Sequence, residues 1–424
     1  VSNFAIVIEE LCYMKLPHFR APRVFVCIVA AGLVLVAGLA VGAGTPPRAR
    51  DLGIPFDGTP GKWNAITDVP GVEVGYATIN RGEGTNAART GVTVIFPRGK
   101  SGYDPVFAGW APLNSVGEMT GMEFVQEEGI LEGPITTTNS LSIGTVRDAI
   151  SKWMVQTWKW NEICCLPVVA ETHDGYLNNI AAFFVREPDV FQAIQGATSG
   201  PLREGNVGGG TGMTAYGFKG GVGTSSRVVT VPWGRYTVGV IVQANCGERQ
   251  QLRIAGVEVG RELAAMDHPH VALDPKLDRE QGSIIITIAT DAPFLPYQLV
   301  RLAKRATNGL ARTGSINDDL SGDMAIAFST ANRGLVGVST PTEEALEKST
   351  VSKVDMMPGN RIDPFFAAVT EATEEALINA LIAAETMTGY KGHRVEAIDH
   401  KKLQEVLRAH HMLVERSTAV SGAE

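Results

Sequence analysis

Cysteine is scarce in this chain of 424 residues, which carries five. Two of these, Cys164 and Cys165, are adjacent and poorly placed to bridge each other, so no disulfide framework holds the fold and a packed core must. Basic residues are outnumbered, 37 Lys and Arg against 45 Asp and Glu, and no basic stripe with interleaved aromatics occurs. That balance excludes a nucleic-acid partner. No Gly-Lys-Ser/Thr follows the glycine-dense residues 205–223, so that segment is not a phosphate-cradling loop, and no G-x-S-x-G elbow marks an ordinary Ser-His-Asp hydrolase. His173-Asp174, His268-x-His270 and His410-His411 lack companions at zinc-site spacing.

Long apolar runs are also rare, with one exception. Val24 to Ala43 is uncharged and almost wholly apolar, preceded by Lys15, Arg20 and Arg23 and followed by small residues. That is the pattern of an export signal, with Met14 a more typical start than Val1 and a cleavage site after Ala43. An uncleaved anchor is the alternative, since a helix of this length just spans a hydrocarbon core. Either reading delivers the body across the membrane, to a periplasmic or secreted setting, with membrane contact only through a retained leader. Residues 1–44 are therefore set apart from the folded body. Without them 34 basic residues face 43 acidic ones.

Roughly 380 residues remain, enough for one large domain with a sizeable core. Short β-branched runs at residues 72–76, 91–97, 227–230 and 236–242 read as strands, the last two as a central pair. Tyr297 to Leu310 reads as a helix with Leu299, Leu302, Ala303, Ala306 and Leu310 on one face. Asp363-Pro364 opens a second helix with a cap and a first-turn proline, running toward a stop at Gly389, after which a short peripheral unit is expected. The pattern is α/β. Glycines crowd residues 205–223, where two readings stand: a wall around a small pocket, or a plain hairpin.

The most informative junction is Gly282-Ser283, between a charged stretch and the apolar run Ile284 to Ala289. A cut before Ser283 would give a terminal hydroxyl nucleophile with its own amine as base; without one, the pair is an ordinary turn. Four segments decide between these readings: GVIVQANCG from Gly239, GSIIITIATDAPFLP from Gly282, ARTGS from Ala311 and SGDMAIAFSTAN from Ser321. In this order they resemble the β-peptidyl aminopeptidase and L-aminopeptidase/D-esterase family, self-processing hydrolases similar in fold to the N-terminal-nucleophile hydrolases. The similarity covers roughly Asp51 to Gly389.

The resemblance implies an αββα sandwich cut autocatalytically between Gly282 and Ser283, so that residues 45–282 and 283–424 are two fragments of one catalytic domain. It implies association of the two fragments, a homo-oligomer, and no cofactor or metal. Ser283 matches the nucleophile, Ser321 and Asp323 the polar pair supporting it, and Asn245 the oxyanion-stabilising asparagine. An i,i+2 pair on an extended segment can share a side, which suits Ser321 and Asp323, although a strand-capping turn would read the same. Asn245 ends an apolar strand, where a buried amide needs a partner, and tying two strands together is its plain structural role. Glu171, after the apolar run Leu166 to Ala170, is similar to the carboxylate that anchors a substrate's free amine, or else is a solvated loop acid. His173 stands where some members carry an aromatic, which leaves the acyl preference open. The substrates implied are short peptides, amides or esters with a free amine. Self-processed ornithine acetyltransferases have a similar fold, but their nucleophile is threonine; a non-enzymatic binding protein remains if the chain stays uncut.

Overall fold

The computed structural model describes residues 46–101, 103–158, 166–266, 282–337 and 351–414. The leader, Cys164-Cys165, His268-x-His270 and the charged stretch from Asp267 to Gln281 lie outside them.

Two sheets stack face to face. The first holds β1 (Glu73–Arg81), β2 (Ala88–Phe96), β5 (Ile135–Asn139) and β6 (Val168–Thr172), in the order β1-β2-β5-β6. The second runs β4 (Ile130–Leu131), β3 (Val106–Ser115), β12 (Gly322–Ser329), β11 (Ser283–Thr290), β10 (Gly234–Asn245) and β9 (Gly221–Val231). The runs at 227–230 and 236–242 do pair, but β9 is an edge strand and the sheet's centre is β12, β11 and β10. Two small hairpins complete the strands, β7 (Thr214–Ala215) with β8 (Phe218–Lys219), and β13 (Met387–Thr388) with β14 (Arg394–Val395).

Alternation along β11 sorts its side chains between layers. Ile284, Ile286 and Ile288 join the core beneath the helices, while Ile285 and Ala289 pack toward the other sheet against Ile95, Ile135 and Val168. Helices α1 (Met122–Glu128), α2 (Ile143–Trp158), α3 (Glu187–Gln195) and α4 (Val259–Met266) precede the second half of the chain. The outer face of the first sheet is covered by α2 and α3 through Val146, Ile150, Val190 and Ile194. The outer face of the second is covered by α5 (Pro296–Ala303), α6 (Ala306–Arg312) and α7 (Asp363–Ile382). The layers are therefore αββα.

Three helical details differ from the sequence pattern. The expected helix from Tyr297 to Leu310 is two, because the chain turns at Lys304-Arg305, where Arg305 lies 4.1 Å over the Phe366 ring. All five expected apolar positions are still buried. Asp363 lies in the first turn of α7 after Ile362, with no side-chain cap, and the helix ends at Ile382, well before Gly389. It is also buried on nearly every side, including Glu375 and Asn379. Those polar groups are satisfied by the segment after the leader: Arg50 forks onto Glu375 at 2.7 and 2.8 Å, and Ala49 N–H donates to Asn379 Oδ1 at 3.0 Å. The chain beyond Gly389, expected to be peripheral, ends in α8 (His400–Ala409), which supplies Leu403, Val406 and Leu407 to the main core. No described helix is long and apolar enough to cross a membrane.

Candidate active site

The site forms where three central strands begin or end together. In the antiparallel β10–β11 ladder Asn245 is paired with Ser283, and in the parallel β11–β12 ladder Ser283 is paired with Gly322. Directly paired residues share a face, so Asn245 and Ser283 both project to the inter-sheet side, along with Gln243 and Ile285. The Gly322 N–H approaches two oxygens, the Gly282 carbonyl at 3.3 Å and Ser283 Oγ at 3.3 Å.

Ser321 and Asp323 flank that N–H. Ser321 Oγ donates to Asp323 Oδ1 at 2.6 Å, so the spacing does place the two side chains together. Asp323 is fully buried, and its Oδ2 has no hydrogen-bond partner among the described residues. Burial pushes this carboxyl up to about 6, against the Ser321 hydroxyl and the Ile284 N–H, which favour the anion. Asn114 pins the loop leading into Ser321, donating from Nδ2 to the carbonyls of Asp318 at 2.8 Å and Ser321 at 2.6 Å.

The Asn245 carboxamide has one defined orientation. Its Oδ1 accepts from the Thr214 N–H at 2.8 Å; a flipped amide would set two donors against each other. Nδ2 makes no hydrogen bond among the described residues. A fixed acceptor and an uncommitted donor beside Ser283 is the arrangement an oxyanion requires.

Glu171 lies within β6, not in a loop, and is buried. Its Oε1 accepts from the Glu118 N–H at 3.1 Å, and the Ser140 hydroxyl donates to Oε2. The segment at Gly117 separates it from β12: a Cβ added there would lie 3.0 Å from Glu171 Oε1 and 3.2 Å from Gly322 Cα. Glu171 is thus one backbone's width from the start of β12. His173, just past the strand, is exposed, and the Gly175 N–H approaches its Nδ1 at 3.4 Å.

The glycine-dense segment fulfils its hairpin reading. Tyr216-Gly217 turns the small hairpin β7–β8, and the Gly208–Gly210 turn before it forms a wall against the inter-sheet space. Gly209 has no room for a side chain there, since a Cβ would fall 2.1 Å from Gln243 Oε1. Gln243 ties the sheets together, donating from Nε2 to Thr138 O at 2.9 Å and Thr172 Oγ1 at 2.8 Å while its Oε1 accepts from Thr137 Oγ1 at 2.7 Å. An amide inside the apolar run GVIVQAN was the visible sign of this bridge. Two further buried groups left little trace in the sequence. Burial pushes Asp174 up to about 7, opposed by hydrogen bonds from Thr90, Asn178 and Asn139. Burial also pulls Lys219 down to about 7, opposed by the charge of Asp174.

An αββα sandwich with a serine opening a central strand and an amide donor paired to it defines the class of N-terminal-nucleophile-like hydrolases. Residues 64–395 match peptidase family S58, and the chain belongs to that family. It is 47% identical over 397 residues, 91% of this chain and 97% of the relative, to the β-peptidyl aminopeptidase BapA of Sphingosinicella microcystinivorans. Among solved structures it is similar to a Burkholderia sp. β-aminopeptidase, with TM-score 0.78, 44% identity, and coverage of 86% of this chain and 99% of that one. It is equally similar to the L-aminopeptidase D-Ala-esterase/amidase of Ochrobactrum anthropi, described as a prototype serine aminopeptidase and a variant of the Ntn hydrolase fold. There the TM-score is 0.78 and the identity 42%, covering 87% of this chain and all of that one. The chain is a hydrolase of the serine aminopeptidase type.

Proposed function

We propose that Ser283 is the nucleophile, released by cleavage of the Gly282-Ser283 bond within the folded chain. The observation that carries this is the Gly322 N–H, which reaches both the Gly282 carbonyl oxygen and Ser283 Oγ while Asn245 is paired opposite. In processing, Ser283 Oγ attacks the Gly282 carbonyl carbon, the peptide C–N bond breaks, and its nitrogen leaves as the Ser283 α-amine. Water then hydrolyses the ester, returning the Ser283 hydroxyl and leaving a carboxylate on Gly282. In turnover the same oxygen attacks the substrate carbonyl, the α-amine takes the hydroxyl proton and gives it to the leaving group, and water then hydrolyses the acyl ester, releasing a carboxylic acid and restoring the Ser283 hydroxyl. An α-amine suits this because it titrates near pH 8. Asn245 Nδ2 receives the oxyanion, and the buried, unpartnered Asp323 Oδ2 offers the ammonium an acceptor, with Ser321 holding the carboxylate in place.

The substrates are short peptides, amides or esters with a free amine, and the names of the relatives favour β-amino acyl groups among them. Glu171 is the carboxylate for that amine, with His173 at the rim of the acyl side. The setting is periplasmic or extracellular, the leader of residues 1–44 having been used for export, and the two fragments work within a homo-oligomer. Intact-mass analysis tests the central step. Wild-type protein should contain a fragment from Ser283 to Glu424, and Ser283→Ala should fold, stay uncut and be inactive. A fragment beginning at residue 283 in the Ser283→Ala protein, or full activity in uncut wild type, refutes it.

A further inference from the structure

Lys219 has no exposed surface, yet among the described residues it forms no salt bridge. Its Nζ donates instead to three main-chain carbonyls, Met213 at 2.7 Å, Gly220 at 2.9 Å and Gly210 at 3.4 Å. An ammonium has three donors and no acceptor, so the three carbonyls match its full capacity. Burying a cation this way is costly, and a structural lysine at a hairpin base would ordinarily reach solvent. Two of the three carbonyls lie in residues 210–213, the stretch running directly into Thr214. The Thr214 N–H is the group that holds Asn245 Oδ1. The same stretch is tied to the first sheet at Thr172, whose hydroxyl lies 2.9 Å from Met213 Sδ, and at Thr93, which accepts from Gly209 N–H at 3.1 Å.

We propose that Lys219 is a positioning residue for hydrolysis: it fixes the carbonyls of the glycine-rich wall, so that Thr214 N–H holds the Asn245 carboxamide with Nδ2 free for the oxyanion. This rests on the oxyanion role of Asn245. The wall is rich in glycine and so has little side-chain packing to stiffen it, and the ammonium supplies that stiffness from inside. Loss of Lys219 lets the Thr214 N–H drift, and the amide then rotates away from the geometry needed when charge develops on the substrate oxygen.

The test is a double-mutant cycle on the mature enzyme, with kcat referred to the processed fraction measured by intact mass. Asn245→Ala alone should lower kcat by about 10²–10³-fold. Lys219→Met, similar in length and without donors, should lower kcat by about ten- to a hundredfold with KM changed little, because the amide acts in the transition state. In the Asn245→Ala background the same Lys219→Met change should cost less than about twofold, since the group it positions is gone. Lys219→Gln, which retains a donor for one carbonyl, should recover part of the loss, and it carries the cycle if the methionine variant is insoluble. An equal loss of kcat from Lys219→Met in both backgrounds, or unchanged kcat in the single variant, overturns the proposal while leaving Asn245 in its role. Unchanged kcat in Asn245→Ala alone refutes the oxyanion reading itself.

Discussion

Position 282, just before the proposed nucleophile, has a steric requirement for glycine. A Cβ on residue 282 would lie 2.7 Å from Cys246 Cα and 2.9 Å from the Asn245 carbonyl oxygen. Both are backbone atoms at the end of β10, so no side chain can swing aside. Ordinary carbon contact begins near 3.4 Å, which leaves alanine short by about 0.7 Å. The strain must be relieved by moving the start of β11 away from β10, the direction that separates Ser283 from Asn245. A misplacement approaching an ångström costs on the order of 10²-fold where reacting atoms must be aligned, so Gly282→Ala should slow self-processing by about ten- to a hundredfold. The stability cost should stay near about 1–3 kcal/mol, the usual range for overpacking. On the proposed cleavage, residue 282 ends the first fragment, so material that does mature should turn over substrate within about twofold of wild type. The assay is a time course of intact mass on freshly purified protein, with activity divided by the cut fraction. Processing of Gly282→Ala at the wild-type rate would refute the argument that this contact sets the attack geometry.

Four further outcomes are expected. With burial raising the Asp323 carboxyl to about 6, the folded chain binds a proton there that the unfolded chain releases, between its ordinary range and about pH 6. The carboxylate therefore costs stability above about pH 6, and Asp323→Asn in an uncut Ser283→Ala background should melt higher than its parent at pH 8 and lose that advantage by pH 4. Ser321→Ala removes a bond that favours the anion and should move the acidic limb of the turnover rate upward; an unmoved limb would separate Asp323 from that step. Glu171→Gln should erase the preference for free over acetylated amines, and a retained preference in competition assays would assign the anchor elsewhere. Glu375→Ala removes the carboxylate 2.8 Å from Arg227 Nη2, leaving Arg227 with Glu371 at 3.5 Å and its carbonyl acceptors, and should cost about 3 kcal/mol in denaturant unfolding.

The alternation of Ile284, Ile286 and Ile288 with Ser283, Ile285 and Thr287 is written in the chain, because side-chain direction in a strand follows from backbone period alone. So are the strand-forming runs, the apolar face from Leu299 to Leu310 and the apolar leader. The i,i+2 spacing of Ser321 and Asp323 likewise allowed the contact found at 2.6 Å. Three-dimensional packing decided the rest. Asn245 meets Ser283 only because two strands remote in sequence pair in one register, and a shift of one residue would turn either side chain toward the helices. The sequence left Glu171 between an amine anchor and a solvated loop acid because the apolar run stops at Ala170, but β6 continues through Thr172 and buries it beside Ser140. The helix break at Lys304-Arg305 coincides with the stacking of Arg305 on Phe366, and the buried Glu375 is paired by arginines more than a hundred residues upstream. Lys219 is the extreme case: local sequence sets backbone preference and period, but only the folded wall brings three carbonyls around one ammonium.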